Sequence, residues 1–262
     1  MNDDLITQDS PNGTKEDIHG HTTSQKGFAG FLETILRRFR TASFVVALIP
    51  LYVVAVIAMG ISLTPGIYIF DYVFEQTASW IQILRFMAIG ISIVCGYLLY
   101  GLTLIFVIPF FNFLLPLRVK PFRGNFYSLH SIPWYIHNAL TYIARYTFLE
   151  FITPTPLNIL FYKMMGMKIG KGTQINTTNI SDPALIEIGD YVTIGGSAHI
   201  FAHYGQKGYL VVARVKIGDG VNIGLKATIM GDTEIGAKAM IGPHEVILPK
   251  SRIPANRKPK IF

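Results

Sequence analysis

The chain has 262 residues, 50% of them apolar and only 15% charged, with a net charge of +7 at pH 7. Its length allows one or two domains, and its composition is too oily for an ordinary soluble protein. The single cysteine, Cys95, rules out an intrachain disulfide or a cysteine-based metal framework. The positive charge gathers beside apolar runs, which favours anionic lipid headgroups and argues against nucleic acid as a partner.

Residues 1–26 are polar, with Asp3, Asp4, Asn12-Gly13 and a Thr-Thr-Ser run, and are expected to form a disordered tail. Over 27–42, Phe28, Phe31, Leu32, Ile35 and Phe39 share one helical face, which predicts an amphipathic interfacial helix. The region 43–124 contains two charge-rich borders around two long apolar runs, 43–63 and 86–117. Each is long enough to cross a hydrocarbon core, which takes about 20 helical residues. The second exceeds that length, so it is expected to tilt or to break near Pro109.

Arg37, Arg38 and Arg40 precede the first run, and Arg118, Lys120 and Arg123 follow the second. The connecting loop is expected to carry Asp71, Glu75 and Arg85. The positive-inside rule then places both termini in the cytoplasm, in a multi-pass protein of a bacterial-type inner membrane. The polar stretch ahead of the first run speaks against a cleaved signal peptide. Residues 125–165 are rich in aromatics and read either as interfacial helices or as a helical connector packed on the C-terminal domain. His130 and His137 in this segment are expected to be solvated or snorkelling.

From Ile217 onward an isoleucine stands at every sixth position: Ile217, Ile223, Ile229, Ile235, Ile241 and Ile247. The same beat runs through Ile169–Ile175 and Ile188–Ile194–Ile200. Neither an α-helix nor an ordinary strand has this period, whereas a parallel β-helix does, with three hexads to a coil. The β-helix is placed at 166–254, followed by a basic tail at 255–262. Two steps break the rhythm: Ile175 to Ile188 is one residue longer than two hexads, and Ile200 to Ile217 is one shorter than three. Residues 202–214 are expected to be a loop leaving the prism.

His203 opens that segment, in the run HIFAHYGQKG. A histidine titrates near neutrality and suits a general base for a hydroxyl or amine attacking a thioester. Asp182, before Pro183, is either a turn residue or a partner that orients the histidine or holds an acceptor amine. His199 is expected to point out of the prism, and His244 to lie away from the loop. Lys226, Lys250, Arg252, Arg257 and Lys258 are candidates for pairing with the phosphates of coenzyme A, or at the C-terminus for a membrane surface.

The stretch YKMMGMKIGKGTQI…ISDPALIEIGDYVTI…FAHYG…VKIGDGVNIGLKATIMGDTEIGAKAMIG resembles the hexapeptide-repeat acyltransferases. It is similar in particular to the maltose/galactoside acetyltransferase type and to the membrane-attached terminal region of ε-poly-lysine synthetase-like proteins. The resemblance implies a left-handed β-helix forming a homotrimer, His203 as catalytic histidine, and Asp182 as a second catalytic-site residue. It places an acyl-CoA or carrier pantetheine arm near Gly224 and Ala239, with Lys226, Lys250 and Arg252 nearby. No tightly bound cofactor or metal is implied, and the thioester is a co-substrate. The expected fold is thus a membrane-anchored all-β protein: two N-terminal transmembrane helices and interfacial helices, then a left-handed β-helix of about four to five coils. The expected function is acyl transfer from acyl-CoA or an acyl carrier to a hydroxyl or amine of a membrane lipid or lipid-linked acceptor. Two alternatives stand beside it. One is amide-bond condensation from an aminoacyl thioester on a carrier protein. The other is a non-enzymatic trimeric membrane scaffold.

Overall fold

The computed structural model describes Thr23 and residues 26–259. The tail at 1–26 lies outside the described residues except for Thr23 and Lys26. Five helices come first: α1 (Gly27–Arg38), α2 (Arg40–Gln76), α3 (Gln82–Leu114), α4 (Ile132–Ala144) and α5 (Pro156–Met164). Short strands then run to the C-terminus.

Helices α2 and α3 form an antiparallel hairpin, and both are long and apolar enough to cross a membrane. They outrun the apolar runs that announced them. Asp71 and Glu75 lie inside α2 and Arg85 inside α3, so the connection is only 77–81 and these charges are not loop residues. Pro109 lies within α3 without ending it, because the helix continues to Leu114. The two helices come close at Gly66 and Gly96, where a Cβ on Gly66 would stand 2.8 Å from the Gly96 carbonyl oxygen.

Helix α1 is turned opposite to a helix on a soluble protein. Glu33 and Arg37 are 2% and 1% exposed, and their ion pair of 2.5 Å is buried. Phe28 and Phe31 are 76% and 61% exposed. In water the phenylalanines would be the ones inside. Glu33 also accepts from the Leu129 N–H at 3.4 Å, which ties the charged side of α1 to the connector.

The hexads fold into three parallel sheets that fit a left-handed β-helix. One sheet stacks Lys168–Ile169, Ile186–Ile188, Val215–Ile217, Thr233–Ile235 and Arg252–Ile253. The second stacks Gln174–Ile175, Thr193–Ile194, Asn222–Ile223 and Met240–Ile241. The third stacks Ile180–Ser181, His199–Phe201, Thr228–Ile229 and Val246–Ile247. Register places isoleucine on isoleucine through all three, for example Ile180, Ile200, Ile229 and Ile247. A small or branched residue two places earlier, such as Val192, Ala198, Val221, Ala227 or Ala239, also fills the prism and is fully buried. Full burial of a side chain of isoleucine size contributes roughly 1.5–3 kcal/mol, so the ladder is the main source of stability.

Glycine follows the isoleucine because coils touch there. A Cβ on Gly224 would lie 2.5 Å from the Pro243 nitrogen, and one on Gly236 would lie 2.5 Å from the Ala255 nitrogen. Three residues before most interior isoleucines the chain turns with positive φ, and non-glycine residues occupy many of these corners. Lys226, His244 and Lys250 are three of them.

The segment 202–214 is a β-hairpin rather than a loop. His203–Gln206 pairs antiparallel with Tyr209–Val212, and Phe122–Gly124 adds a third strand. The two-residue turn Lys207-Gly208 has φ of 50° and 81°. Positive φ at both positions is what a type I′ turn requires, and its twist suits a tight hairpin. The chain leaving α3 is thereby stitched to the β-helix.

The connector packs on the first coil. Tyr142 bonds to Ser181 at 2.8 Å, Arg145 to Asn179, and Thr178 to Glu150. A π-helical turn, Arg145–Leu149, presents Phe148 to α3 at Gly101, a position where any Cβ would collide with the ring. Beyond it α5 covers the end of the prism, with Phe161 and Tyr162 buried and Asn158 donating to the Ile175 carbonyl at 2.8 Å.

Candidate active site

Both breaks in the six-residue rhythm fall on one edge of the prism, on consecutive coils. Ser181 pairs with Phe201, so the residues after them, Asp182 and Ala202, are neighbours. Asp182 turns with φ of 61° and ψ of 47° into the short helix Pro183–Leu185. This left-handed bend directs its carboxylate back onto the next coil. On that coil the chain leaves the prism at His203.

Asp182 is fully buried. Its Oδ2 accepts from His203 Nδ1 at 2.6 Å and from the Ala202 N–H at 3.0 Å. Its Oδ1 accepts from Asn138 Nδ2 at 2.5 Å, while its own N–H donates to Asn138 Oδ1 at 3.0 Å. Three donors satisfy one buried carboxylate, as a buried charge requires. An ionised carboxylate only accepts, so His203 carries its proton on Nδ1, which leaves the Nε2 lone pair to take a proton. The His203 side chain is 25% exposed. Trp134 meets its ring edge-on with centroids 5.0 Å apart, and the Phe201 ring lies 5.8 Å away.

The hairpin can start here because the following coil has glycine at position 231. A Cβ there would lie 3.0 Å from the Ala202 carbonyl carbon and the His203 nitrogen.

His137 is not a snorkelling residue. It is 2% exposed, with Nδ1 2.9 Å from Asn112 Oδ1, and its Nε2 accepts from the Ala184 N–H at 3.5 Å. Burial pushes its pKa down to about 4, against a smaller upward pull from Asp182. His130 is exposed, beside Phe122.

The other sequence candidates do not gather around His203 within one chain. Gly224 and Lys226 sit on the edge between the second and third sheets, where the Gly224 N–H is already bonded to the Ile241 carbonyl at 2.9 Å. Ala239 lies at the edge between the first and second sheets, with its side chain in the core and its carbonyl accepting from Asn222 at 3.0 Å. Lys250 shares the His203 edge two coils further on and is exposed. Arg252 is held by Asp232, at 2.8 Å from its Oδ1, and by Glu234 at 3.7 Å. The Asp232 bond holds the guanidinium firmly in its charged form. Arg257 pairs with Glu245. His199 is half-buried beside Phe201, and His244 is an exposed corner residue whose N–H bonds the Leu225 carbonyl.

No family model matches the chain. Over 168 residues, 63% of its length, it is 21% identical to a delta-poly-L-ornithine synthetase of Acinetobacter baumannii. A hexapeptide-repeat acetyltransferase of Vibrio cholerae, solved in complex with acetyl coenzyme A, is 27% identical with a TM-score of 0.33 and covers 36% of this chain. A serine acetyltransferase of Neisseria gonorrhoeae is 20% identical with a TM-score of 0.30 and covers 48% of this chain. This chain spans 12% of the synthetase and 54% and 49% of the two acetyltransferases.

Proposed function

We propose that this chain is a membrane-anchored acyltransferase of the hexapeptide-repeat kind, with His203 as general base and Asp182 as the residue that orients it. The observation carrying this is the dyad: a fully buried carboxylate fixes Nδ1 of a part-exposed histidine at 2.6 Å. His203 Nε2 takes the proton from an acceptor hydroxyl or amine as its oxygen or nitrogen attacks the thioester carbonyl. The resulting oxyanion is held by backbone N–H groups of a prism corner. When it collapses, the thiolate leaves and recovers the proton from Nε2. The products are an ester or amide and a free thiol.

Acyl-CoA is the donor we favour, and the prism is left-handed and assembles as a homotrimer. In such a trimer the edge that carries Gly224 and Lys226 and the edge that carries Ala239 would lie toward a partner's His203. The two long apolar helices, the basic residues flanking them and the exposed phenylalanines of α1 support an anchor in a bilayer. The acceptor is then a lipid or lipid-linked molecule at the same surface.

The test uses the full chain in nanodiscs of phosphatidylethanolamine and phosphatidylglycerol, supplied with acetyl-CoA. His203→Ala abolishes transfer of the acetyl group, read as release of free thiol, while light scattering shows the trimer intact. Transfer that survives His203→Ala would refute His203 as the base, and a wild type that transfers from neither acetyl-CoA nor a carrier thioester would leave the scaffold alternative standing. Likeness to the poly-ornithine synthetase favours a second reading, condensation onto an amine from a carrier-bound aminoacyl thioester. It predicts that acetyl-CoA is inert and a carrier thioester is consumed.

A further inference from the structure

Two consecutive residues of α4 meet the dyad's support from one side. Asn138 holds the Asp182 carboxylate and backbone N–H together. His137 accepts the Ala184 N–H two residues further along the same turn. Both are buried, and neither touches His203.

Two sets of hydrogen bonds meet on α4, one through His137 and one through Asn138. A backbone N–H can only donate, so His137 Nε2 is unprotonated. Burial keeps the ring neutral, and its single proton therefore lies on Nδ1. That proton needs an oxygen, which Asn112 of α3 supplies at 2.9 Å. The Asp182 N–H likewise fixes Asn138 with its oxygen inward, which aims its NH2 at the carboxylate. The carboxylate in turn sets the proton of His203 on Nδ1. Asn138 cannot reverse without leaving the buried backbone N–H of Asp182 unpaired, which costs about 1–3 kcal/mol.

The set through His137 begins on a candidate membrane helix, and α4 carries its hold to the set through Asn138. Asn112 shares one face of α3 with Gly101, three helical turns away, where Phe148 of the connector is seated. Leu104, Ile105 and Ile108, between them, are fully buried. The connector is thus clamped to α3 at both ends of this face, and its other side carries the Asp182 turn.

We propose that α3 is a structural part of the catalytic site: Asn112, His137 and Asn138 are positioning residues that set the orientation of His203 through Asp182. The β-helix alone would not carry a competent dyad. Assembly of the site then depends on seating of the helix hairpin, and the reaction is confined to chains docked in the membrane. This rests on the acyltransferase reading only for the task that His203 performs.

The experiment uses full-length protein with 15N-labelled histidine in phosphatidylethanolamine/phosphatidylglycerol nanodiscs. The His203 Nδ1 proton, bonded to a carboxylate, gives a far-downfield resonance identified by its loss in His203→Gln. Asn112→Leu makes α3 only more apolar and leaves insertion intact. It is expected to shift and broaden that resonance, although Asn112 is in contact with neither dyad member. Asn138→Ala does the same more strongly, and Asn112→Gln, which restores an amide oxygen, recovers the signal in part.

Where the wild type turns over acetyl-CoA, Asn112→Leu lowers kcat roughly tenfold to a hundredfold with KM nearly unchanged, as expected for misplacement of a base. A His203 resonance identical to wild type in Asn112→Leu would overturn the proposal, whether or not Asn138→Ala folds. A shifted resonance in a protein that transfers no acyl group would refute the acyltransferase reading and leave this one intact.

Discussion

Replacing Asp182 by asparagine keeps its shape and removes its charge, and the site offers the amide no satisfactory orientation. Three donors converge on the carboxylate: Asn138 Nδ2 at 2.5 Å, the Ala202 N–H at 3.0 Å and His203 Nδ1 at 2.6 Å. If the new oxygen faces Ala202 and His203, the new NH2 opposes the NH2 of Asn138, which is held in place by the backbone of residue 182. If the oxygen faces Asn138, the NH2 opposes the fixed Ala202 N–H and forces His203 to accept at Nδ1. Its proton then moves to Nε2, and the ring is no longer a base. Either outcome leaves a buried donor unpaired, at about 1–3 kcal/mol. We expect a net loss of about 1–3 kcal/mol of stability, read as a lowered Tm in nanodiscs. Turnover of acetyl-CoA should fall by roughly 10⁴, the size seen when an orienting aspartate becomes an amide in a serine protease. That is a barrier increase of about 5.5 kcal/mol. Asp182→Asn protein turning over within threefold of wild type would refute the assignment of Asp182 as orienting partner.

The same geometry sets further outcomes. Gly231→Val sets a side chain against the root of the hairpin, 3.0 Å from the His203 nitrogen. Turnover should drop roughly tenfold or more while stability falls by only about 1–3 kcal/mol, measured together on one preparation. Gly66→Val pushes against the Gly96 carbonyl and should splay the helix hairpin at about 1–3 kcal/mol, seen as faster amide exchange in α2 and α3. Glu33→Ala removes the buried partner of Arg37 and should destabilise the docking of α1 by roughly 3 kcal/mol, seen as protease cleavage ahead of α2. His137 has a folded pKa of about 4 against an ordinary 6.5, so the unfolded chain takes up the proton first. Its contribution is complete above pH 6.5 and is lost as pH falls toward 4, by roughly 3 kcal/mol in all. Thermal unfolding across that range should show this slope, and His137→Phe should flatten it.

The prism was legible because its interior repeats one residue type at a period that no other structure shares. Each ladder is isoleucine from coil to coil, and the glycine after it marks close contact with the next coil. The corners were less legible. Their left-handed residues include Tyr191, Ser197, Lys226, Lys238, His244 and Lys250, so a search for glycine or asparagine at turns passes over them. Lys226 and Lys250, candidates for pairing with phosphates, both occupy such corners. The hairpin at 203–212 turns at Lys207-Gly208, without the Asn-Gly or Asp-Gly that marks such turns, and its third strand comes from 122–124, far away in sequence and assigned to the end of the membrane region. Pairing at such distance leaves no local pattern.

Within the candidate site, an interruption of the repeat singles out His203, whereas His137 and Asn138 carry no motif. Their signal is a helical one. His137, Thr141 and Ala144 follow at the spacing of one face, and all three are buried along with Leu140. Polar residues on a buried helical stripe imply partners elsewhere in the fold, and the partners here are Asn112, Ala184 and Asp182. The two irregular steps hold a more general lesson, because they are one event and not two. The first inserts Asp182 with its left-handed bend after Ile180, and the second releases the chain after Ile200. Ile180 and Ile200 are stacked partners, so both departures open on the same edge of adjacent coils. A single break in a solenoid needs only room for a loop. Two breaks aligned on neighbouring coils bring residues outside the core into contact with each other. Here an acid meets a histidine, which the regular hexads, with every inward position committed to the core, have no means to arrange.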